Sequence, residues 1–148
     1  MSSANTLTVL VVDADPINLT AVAAVFHSAG YECLCARTGT AAEKAIATGE
    51  VELLVMDVGS EVDMAVGLLM SLKQMHKGDT LPTILLTESS QADRLKSAVV
   101  DDATFHLVKP FDPKTLLELA ECNNWMPHLV AGHRRRGQRP TKPGWVSL

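Results

Sequence analysis

Five short apolar runs are spaced along the chain, each rich in Val, Leu or Ile and each too short to form a core helix. Runs of this kind, without polar alternation, are typical of strands buried on both faces of a parallel sheet. The predicted strands are Leu7–Val12, Tyr31–Ala36, Val51–Met56, Pro82–Leu86 and Thr104–Val108.

Between these runs, apolar residues recur at the three- and four-residue spacing of helices. The predicted apolar faces are Ile17, Ala21, Ala24 and Val25; Ala42, Ala45 and Ile46; Leu68, Leu69, Leu72 and Met75; Leu95, Ala98 and Val99; and Leu116, Leu119 and Ala120. Asp112 with Pro113 predicts the start of the last helix, and Ala29-Gly30 the end of the first. Five βα units in series predict an α/β fold, a doubly wound five-stranded parallel sheet with helices on both faces.

Length and charge divide the chain into two parts. Its 148 residues, 47% of them hydrophobic, predict one compact domain over residues 1–125. Those residues hold eight Lys and Arg against all 17 Asp and Glu, a net charge of −9, which disfavours direct DNA binding. Residues 126–148 form a basic tail rich in Gly, Pro and Arg, which we expect to be flexible and too short to build a DNA-binding domain.

The remaining composition points to an intracellular protein. No apolar stretch is long enough to span a membrane and no signal peptide precedes the first strand, so we expect a cytoplasmic location. Cys33, Cys35 and Cys122 lack metal-ligand spacing and are predicted to be unbridged, mostly buried thiols. We interpret Met64, Met70 and Met75 as core and rim packing of the third helix.

Polar residues follow four of the predicted strands at their carboxyl ends, where the strands of a parallel sheet meet and ligands bind. They are Asp13, Asp57, Thr87 and Lys109. Carboxylates can hold Mg²⁺ or attack phosphorus, and a hydroxyl and an ammonium can bind phosphoryl oxygens. For any one of these residues taken alone, a loop cap or a structural ion cluster is the favoured explanation, but four strand ends in register favour phosphoryl chemistry.

The chain from about Leu7 to Asn124 resembles the receiver domain of two-component response regulators. The motifs that carry the resemblance are "VLVVDADP", "GYECLCARTGTAAEKAI", "VELLVMD", "LPTILLT" and "FHLVKPFD". The resemblance implies a flavodoxin-like (βα)5 fold of the CheY-like type, with strand order 2-1-3-4-5. It also implies a phosphoprotein of a phosphorelay, not an enzyme, whose partners are a histidine kinase or phosphotransfer protein and a downstream protein target.

The same resemblance implies a role for each site residue. Asp57 would be the phosphoacceptor, Asp13 and Asp57 would hold Mg²⁺, and Thr87 and Lys109 would bind the phosphoryl group. A switch would follow, in which Thr87 closes on the phosphate and the side chain at His106, an aromatic position in the family, turns inward. The switch would remodel the face of the fourth helix, fifth strand and fifth helix, where a homodimer could also form.

The sequence departs from the family at the residue after Asp13, where Ala14 replaces a second acid that is normally a metal ligand. We therefore expect Mg²⁺ to bind weakly. Asp15 could substitute for the missing acid if the chain stays extended. Alternatively, Pro16 begins the first helix and Asp15 is its N-cap, the interpretation we favour.

Further departures surround the other strand ends. Gly59 still offers a backbone carbonyl where the family uses one for the metal, but Ala65 and Asp102 stand at customary glycines. Glu88, at a position next to Thr87 where the family has a small residue, could repel an incoming phosphate or reach the metal and replace the absent acid.

Three functional hypotheses follow. The leading one is a single-domain receiver that accepts a phosphoryl group on Asp57 and signals through protein partners. The second is a degenerate receiver that acts as a phosphorylation-independent interaction module. The third, a small flavodoxin-like enzyme or nucleotide binder, is disfavoured because "DADPIN" stands where a Gly-rich phosphate loop would be needed.

Overall fold

The structure of the protein is a computed structural model that describes residues 7–76, 80–99 and 103–132, the last ten through their backbone alone. Five strands alternate with five helices, and a 3-10 turn at Ser89–Gln91 precedes the fourth helix. The strands are β1 Thr8–Val12, β2 Glu32–Ala36, β3 Leu53–Asp57, β4 Thr83–Thr87 and β5 Thr104–Val108. The helices are α1 Pro16–Ser28, α2 Gly39–Ala47, α3 Val62–Met75, α4 Ala92–Ala98 and α5 Pro113–Gly132.

The strands form one parallel sheet in the order β2-β1-β3-β4-β5. This confirms the predicted fold and strand order. Each predicted strand overlaps an observed one, and no boundary differs by more than two residues. The central strands β1, β3 and β4 are buried because helices cover both faces: one apolar cluster includes residues of α2, α3 and α4, and the other residues of α1 and α5. The edge strands β2 and β5 are only partly buried, so the prediction of burial on both faces is wrong for these two.

The predicted apolar face of α1 is wrong except at Val25, which is half-buried and packs against the core. Ile17 is 77% exposed, and Ala21 and Ala24 are exposed as well. The residues that enter the core are Leu19, Val22 and Phe26. Because α1 carries apolar residues almost all the way round, its spacing fits more than one helical face.

Two further packing predictions need correction. Met64, Met70 and Met75 are 71%, 54% and 39% exposed, so these methionines point to solvent while Leu69 and Leu72 fill the core. Cys33 and Cys122 are half-buried, but Cys35 on the edge strand β2 is exposed.

The predicted C-terminal end of α1 and the predicted start of α5 are confirmed. Gly30 follows α1 with a φ of 96°, a left-handed backbone that favours glycine. Asp112 accepts a hydrogen bond from Lys114 N at 3.0 Å and caps α5, which begins at Pro113. The helix continues to Gly132, so residues 126–132 of the predicted tail are helical. Residues 133–148 of that tail lie outside the described residues.

Within the described ranges, every helix is too short or too polar to cross a lipid bilayer.

Candidate functional site

The register of the sheet brings the four predicted site residues to one edge. Asp57, the last residue of β3, pairs with Leu86 of β4. Thr87, the next and last residue of β4, therefore lies beside the carboxyl end of β3. Lys109 directly follows β5, and its backbone N–H donates to the carbonyl oxygen of Thr87 at 2.8 Å. Asp13 directly follows β1, the other neighbour of β3.

The carboxylate of Asp57 is held by two donors. Its Oδ2 accepts from Lys109 Nζ at 2.5 Å, and its Oδ1 accepts from the backbone N–H of Gly59 at 2.8 Å. Gly59 has a φ of 71°, which favours glycine at this turn. The Asp57 side chain is only 8% exposed, so it depends on these two partners for charge compensation.

Lys109 forms ion pairs with two carboxylates, those of Asp57 and Glu88. Its Nζ also lies 3.5 Å from Glu88 Oε2, on a side chain that is 60% exposed at the mouth of the site. Burial lowers the pKa of the Lys109 ammonium, but the hydrogen bond and charge of Asp57 and the charge of Glu88 outweigh burial and raise it. Lys109 is therefore firmly cationic at neutral pH.

Asp13 is buried beside this ion pair. Its Oδ1 accepts from Asp15 N at 2.9 Å, whereas its Oδ2 is buried with no hydrogen-bond partner. Burial raises the pKa of the Asp13 carboxyl, the hydrogen bond from Asp15 lowers it, and the negative charge of Asp57 raises it further, for a net increase. An unpartnered carboxylate oxygen next to a second carboxylate suits a bound cation or a proton.

Asp15 caps α1. Its Oδ1 accepts from the backbone N–H of Ile17 at 3.0 Å, and Pro16 is the first residue of the helix. Asp15 therefore has the predicted N-cap role, and the cap occupies one of the carboxylate oxygens that a metal would need. Ala14 is exposed between the two aspartates.

The predicted switch residues lie on neighbouring strands. Thr87 is fully buried, and its hydroxyl donates to the carbonyl oxygen of Glu88 at 3.2 Å. His106 is a half-buried residue of β5 whose Nε2 is buried without a hydrogen-bond partner. Burial lowers the pKa of the His106 imidazole, and the charge of Lys96 on α4 lowers it further.

The side chains and carbonyls at this edge of the sheet include oxygen ligands of the kind that Mg²⁺ prefers, but these ligands are few. Asp13, Asp57 and the backbone carbonyl of Gly59 are hard oxygen donors, and the unpartnered Oδ2 of Asp13 has no competing contact. The described part of the chain contains no group of three or more acidic, His or Cys side chains placed to hold a metal. Such a site suits Mg²⁺, which often takes one or two carboxylates and keeps several waters.

Sequence reasoning missed an apolar groove beside the site, between α1 and α5. It extends from Asp13, Asp57 and Lys109 and is lined by Asn18, Ala21, Val25, Phe111, Pro113 and Leu116. The α1 residues that line the groove, Asn18, Ala21 and Val25, are spaced three and four residues apart on one face of the helix. This spacing is the sequence signal that could have predicted the groove. Among the departures from the family, Ala65 is half-buried in α3, and Asp102 lies outside the described residues.

Comparison with known proteins identifies sequence relatives. Residues 9–121 match the family described as response regulator receiver domain. Response regulator protein PmrA from Pseudomonas aeruginosa is 35% identical over 104 residues, covering 66% of this chain and 46% of the relative. Transcriptional regulatory protein BasR from Escherichia coli is 27% identical over 141 residues, covering 95% and 60%. The chain thus spans about half the length of the curated relatives it matches.

Solved structures share the fold. The chemotaxis protein CheY4 from Vibrio cholerae is 28% identical with a TM-score of 0.64, covering 78% of this chain and 97% of that one. A response regulator receiver domain protein from Clostridium thermocellum has a TM-score of 0.73 at 18% identity, covering 84% and 98%, a likeness of fold alone.

Proposed function

Because this chain belongs to the response regulator receiver domain family of two-component signalling, we propose that Asp57 accepts a phosphoryl group from a histidine kinase or phosphotransfer protein. The observation that carries the proposal is the position of the Asp57 carboxylate, which is 8% exposed and held between Lys109 Nζ and the Gly59 N–H. In the transfer, an Asp57 carboxylate oxygen attacks phosphorus and the phosphorus–nitrogen bond of the donor phosphohistidine breaks. The donor imidazole leaves with that electron pair.

The chain's own groups position and neutralise the transferred phosphoryl group. The Lys109 ammonium already touches Asp57 and would exchange that contact for a phosphoryl oxygen. The Thr87 hydroxyl lies at the end of the adjacent strand and would leave its contact with the Glu88 carbonyl to bind a second oxygen. Asp13, Asp57 and the Gly59 carbonyl would hold Mg²⁺, which neutralises phosphoryl charge when bound.

The signal would leave the site through β5. Movement of Thr87 toward the phosphoryl group vacates space beside β5, and the half-buried His106 is the side chain placed to turn inward. We propose that the changed face of α4, β5 and α5 binds a downstream protein target, and that a second copy of the chain could bind there. In this role the chain is a signalling acceptor and not a catalyst of its own reaction on a substrate.

The experiment that tests the proposal weighs the intact protein after incubation with Mg²⁺ and phosphoramidate. We expect the wild type to gain one phosphoryl mass and Asp57→Asn to gain none. Asp63→Asn, which removes an exposed carboxylate of α3, is the matched control and should gain the same mass as the wild type. A wild type that gains no mass, or an equal gain in Asp57→Asn, contradicts the proposal and favours a phosphorylation-independent interaction module.

A further inference from the structure

Glu88 contacts both residues that the proposed function assigns to phosphoryl binding. Its carboxylate Oε2 lies 3.5 Å from Lys109 Nζ, and its backbone carbonyl accepts from the Thr87 hydroxyl at 3.2 Å. Because Lys109 Nζ is itself 2.5 Å from Asp57 Oδ2, the two carboxylate oxygens can be no more than about 6 Å apart. A phosphoryl group at Asp57 Oδ2 therefore lies within range of the negative charge of the Glu88 carboxylate.

The Glu88 carboxylate lies on the Lys109 side of Asp57. Its charged contact is Lys109 Nζ, which in turn contacts Asp57 Oδ2. The described part of the chain also lacks a cluster of three metal-binding side chains. Glu88 is thus placed to act on an incoming donor and not to join Asp13 at the metal.

We propose that Glu88 is a specificity-determining residue that selects against small dianionic phosphodonors by like-charge repulsion at the mouth of the site. This inference rests on the proposed phosphorylation of Asp57 and names the donor class. A donor of lower net charge meets less repulsion, and a protein donor can offset it through contacts elsewhere on its surface. Acetyl phosphate, a dianion at neutral pH, would be a poor donor compared with phosphoramidate, a monoanion.

The test compares the rates at which the intact protein gains phosphoryl mass from these two donors at low salt. In either transfer, Asp57 attacks phosphorus, and acetate or ammonia leaves with the electron pair of the broken bond. Glu88→Gln keeps the shape and removes the charge, so we expect the acetyl phosphate to phosphoramidate rate ratio to rise about fivefold or more. Glu50→Gln is the control: it removes an exposed acid that precedes β3, near the amino end of that strand and away from Asp57 at its carboxyl end. This change should leave the rate ratio unchanged.

An unchanged ratio in Glu88→Gln overturns the inference. A loss of rate with both donors, together with weaker Mg²⁺ binding, also overturns it and assigns Glu88 to the metal.

A second measurement is independent of phosphorylation. In the presence of Mg²⁺, inorganic phosphate is titrated while the amide signals of Thr87 and Lys109 are followed by NMR. We expect phosphate to bind Glu88→Gln about fivefold or more tightly than the wild type. If no variant gains phosphoryl mass, the proposed function fails, and this titration still decides the inference: equal affinities overturn it.

Discussion

Lys109 Nζ lies 2.5 Å from Asp57 Oδ2, so a residue that directly follows β5 supplies the counter-charge for the carboxylate that ends β3. The two side chains are 24% and 8% exposed, which distinguishes them from a solvent-exposed ion pair. The Arg94–Asp63 pair offers the contrast, because its side chains are 63% and 84% exposed although its contact is as short as 2.8 Å. Burial, and not contact distance, should decide how much each pair stabilises the fold.

A double-mutant cycle measures this difference. We expect Asp57→Asn and Lys109→Met to couple by about 1–3 kcal/mol in the free energy of unfolding, because Lys109→Met leaves the largely buried Asp57 carboxylate without its cation and Asp57→Asn leaves Lys109 with only the exposed Glu88 as a charged partner. The equivalent cycle with Asp63→Asn and Arg94→Met should give less than about 1 kcal/mol. Urea denaturation of each variant supplies both numbers. Equal coupling in the two cycles would contradict the argument from burial.

Asp15→Ala separates the two roles considered for Asp15. Since its Oδ1 caps α1 by accepting from Ile17 N, we expect the change to cost about 1 kcal/mol of unfolding free energy. Asp15→Ser, which retains a capping oxygen, should recover most of that loss. Mg²⁺ affinity, measured by calorimetric titration, should stay the same in both variants. A large loss of affinity in Asp15→Ala would instead make Asp15 a metal ligand.

His106 should make stability depend on pH. Its pKa is lowered below the ordinary value of 6.5, chiefly by burial, so the unfolded chain takes up the proton first as the pH falls. The stability it contributes is complete above pH 6.5 and is lost as the pH falls through the folded-state pKa. Between about pH 7.5 and pH 5, we expect the wild type to lose more unfolding free energy than His106→Phe. Urea denaturation at both pH values tests this, and equal losses would contradict it.

The fold was predictable because buried parallel strands leave a plain signal. Runs such as Thr104–Val108 are short and mostly apolar, and this one matches β5 residue for residue. The faces of α1 were less predictable, because a helix with apolar residues on most sides gives no single periodic stripe. Ile17 and Val22 are both apolar, and only the docking of α1 on the sheet decides which of them is buried.

The site was predictable as far as the strand ends define it. Asp13, Asp57, Thr87 and Lys109 converge because parallel strands share one carboxyl edge. The partner of each side chain was not predictable in the same way. The contact of Lys109 with Glu88 depends on side-chain conformations at the ends of two strands, and no periodicity in the sequence encodes it.

Ala14→Asp tests whether the missing acid limits metal binding. The new carboxylate would lie between Asp13, whose Oδ2 has no hydrogen-bond partner, and Asp15, whose Oδ1 caps α1. A carboxylate about 4 Å from a divalent cation contributes more than about 1 kcal/mol even in high dielectric, so we expect Mg²⁺ affinity to rise about tenfold or more. Ala14→Asn, which adds the same bulk without the charge, should give a smaller gain. Calorimetric titration with Mg²⁺ measures all three proteins, and equal gains in the two variants would show that the extra oxygen ligand matters and its charge does not. An affinity unchanged in Ala14→Asp would mean that Ala14 is not where this edge lacks a ligand.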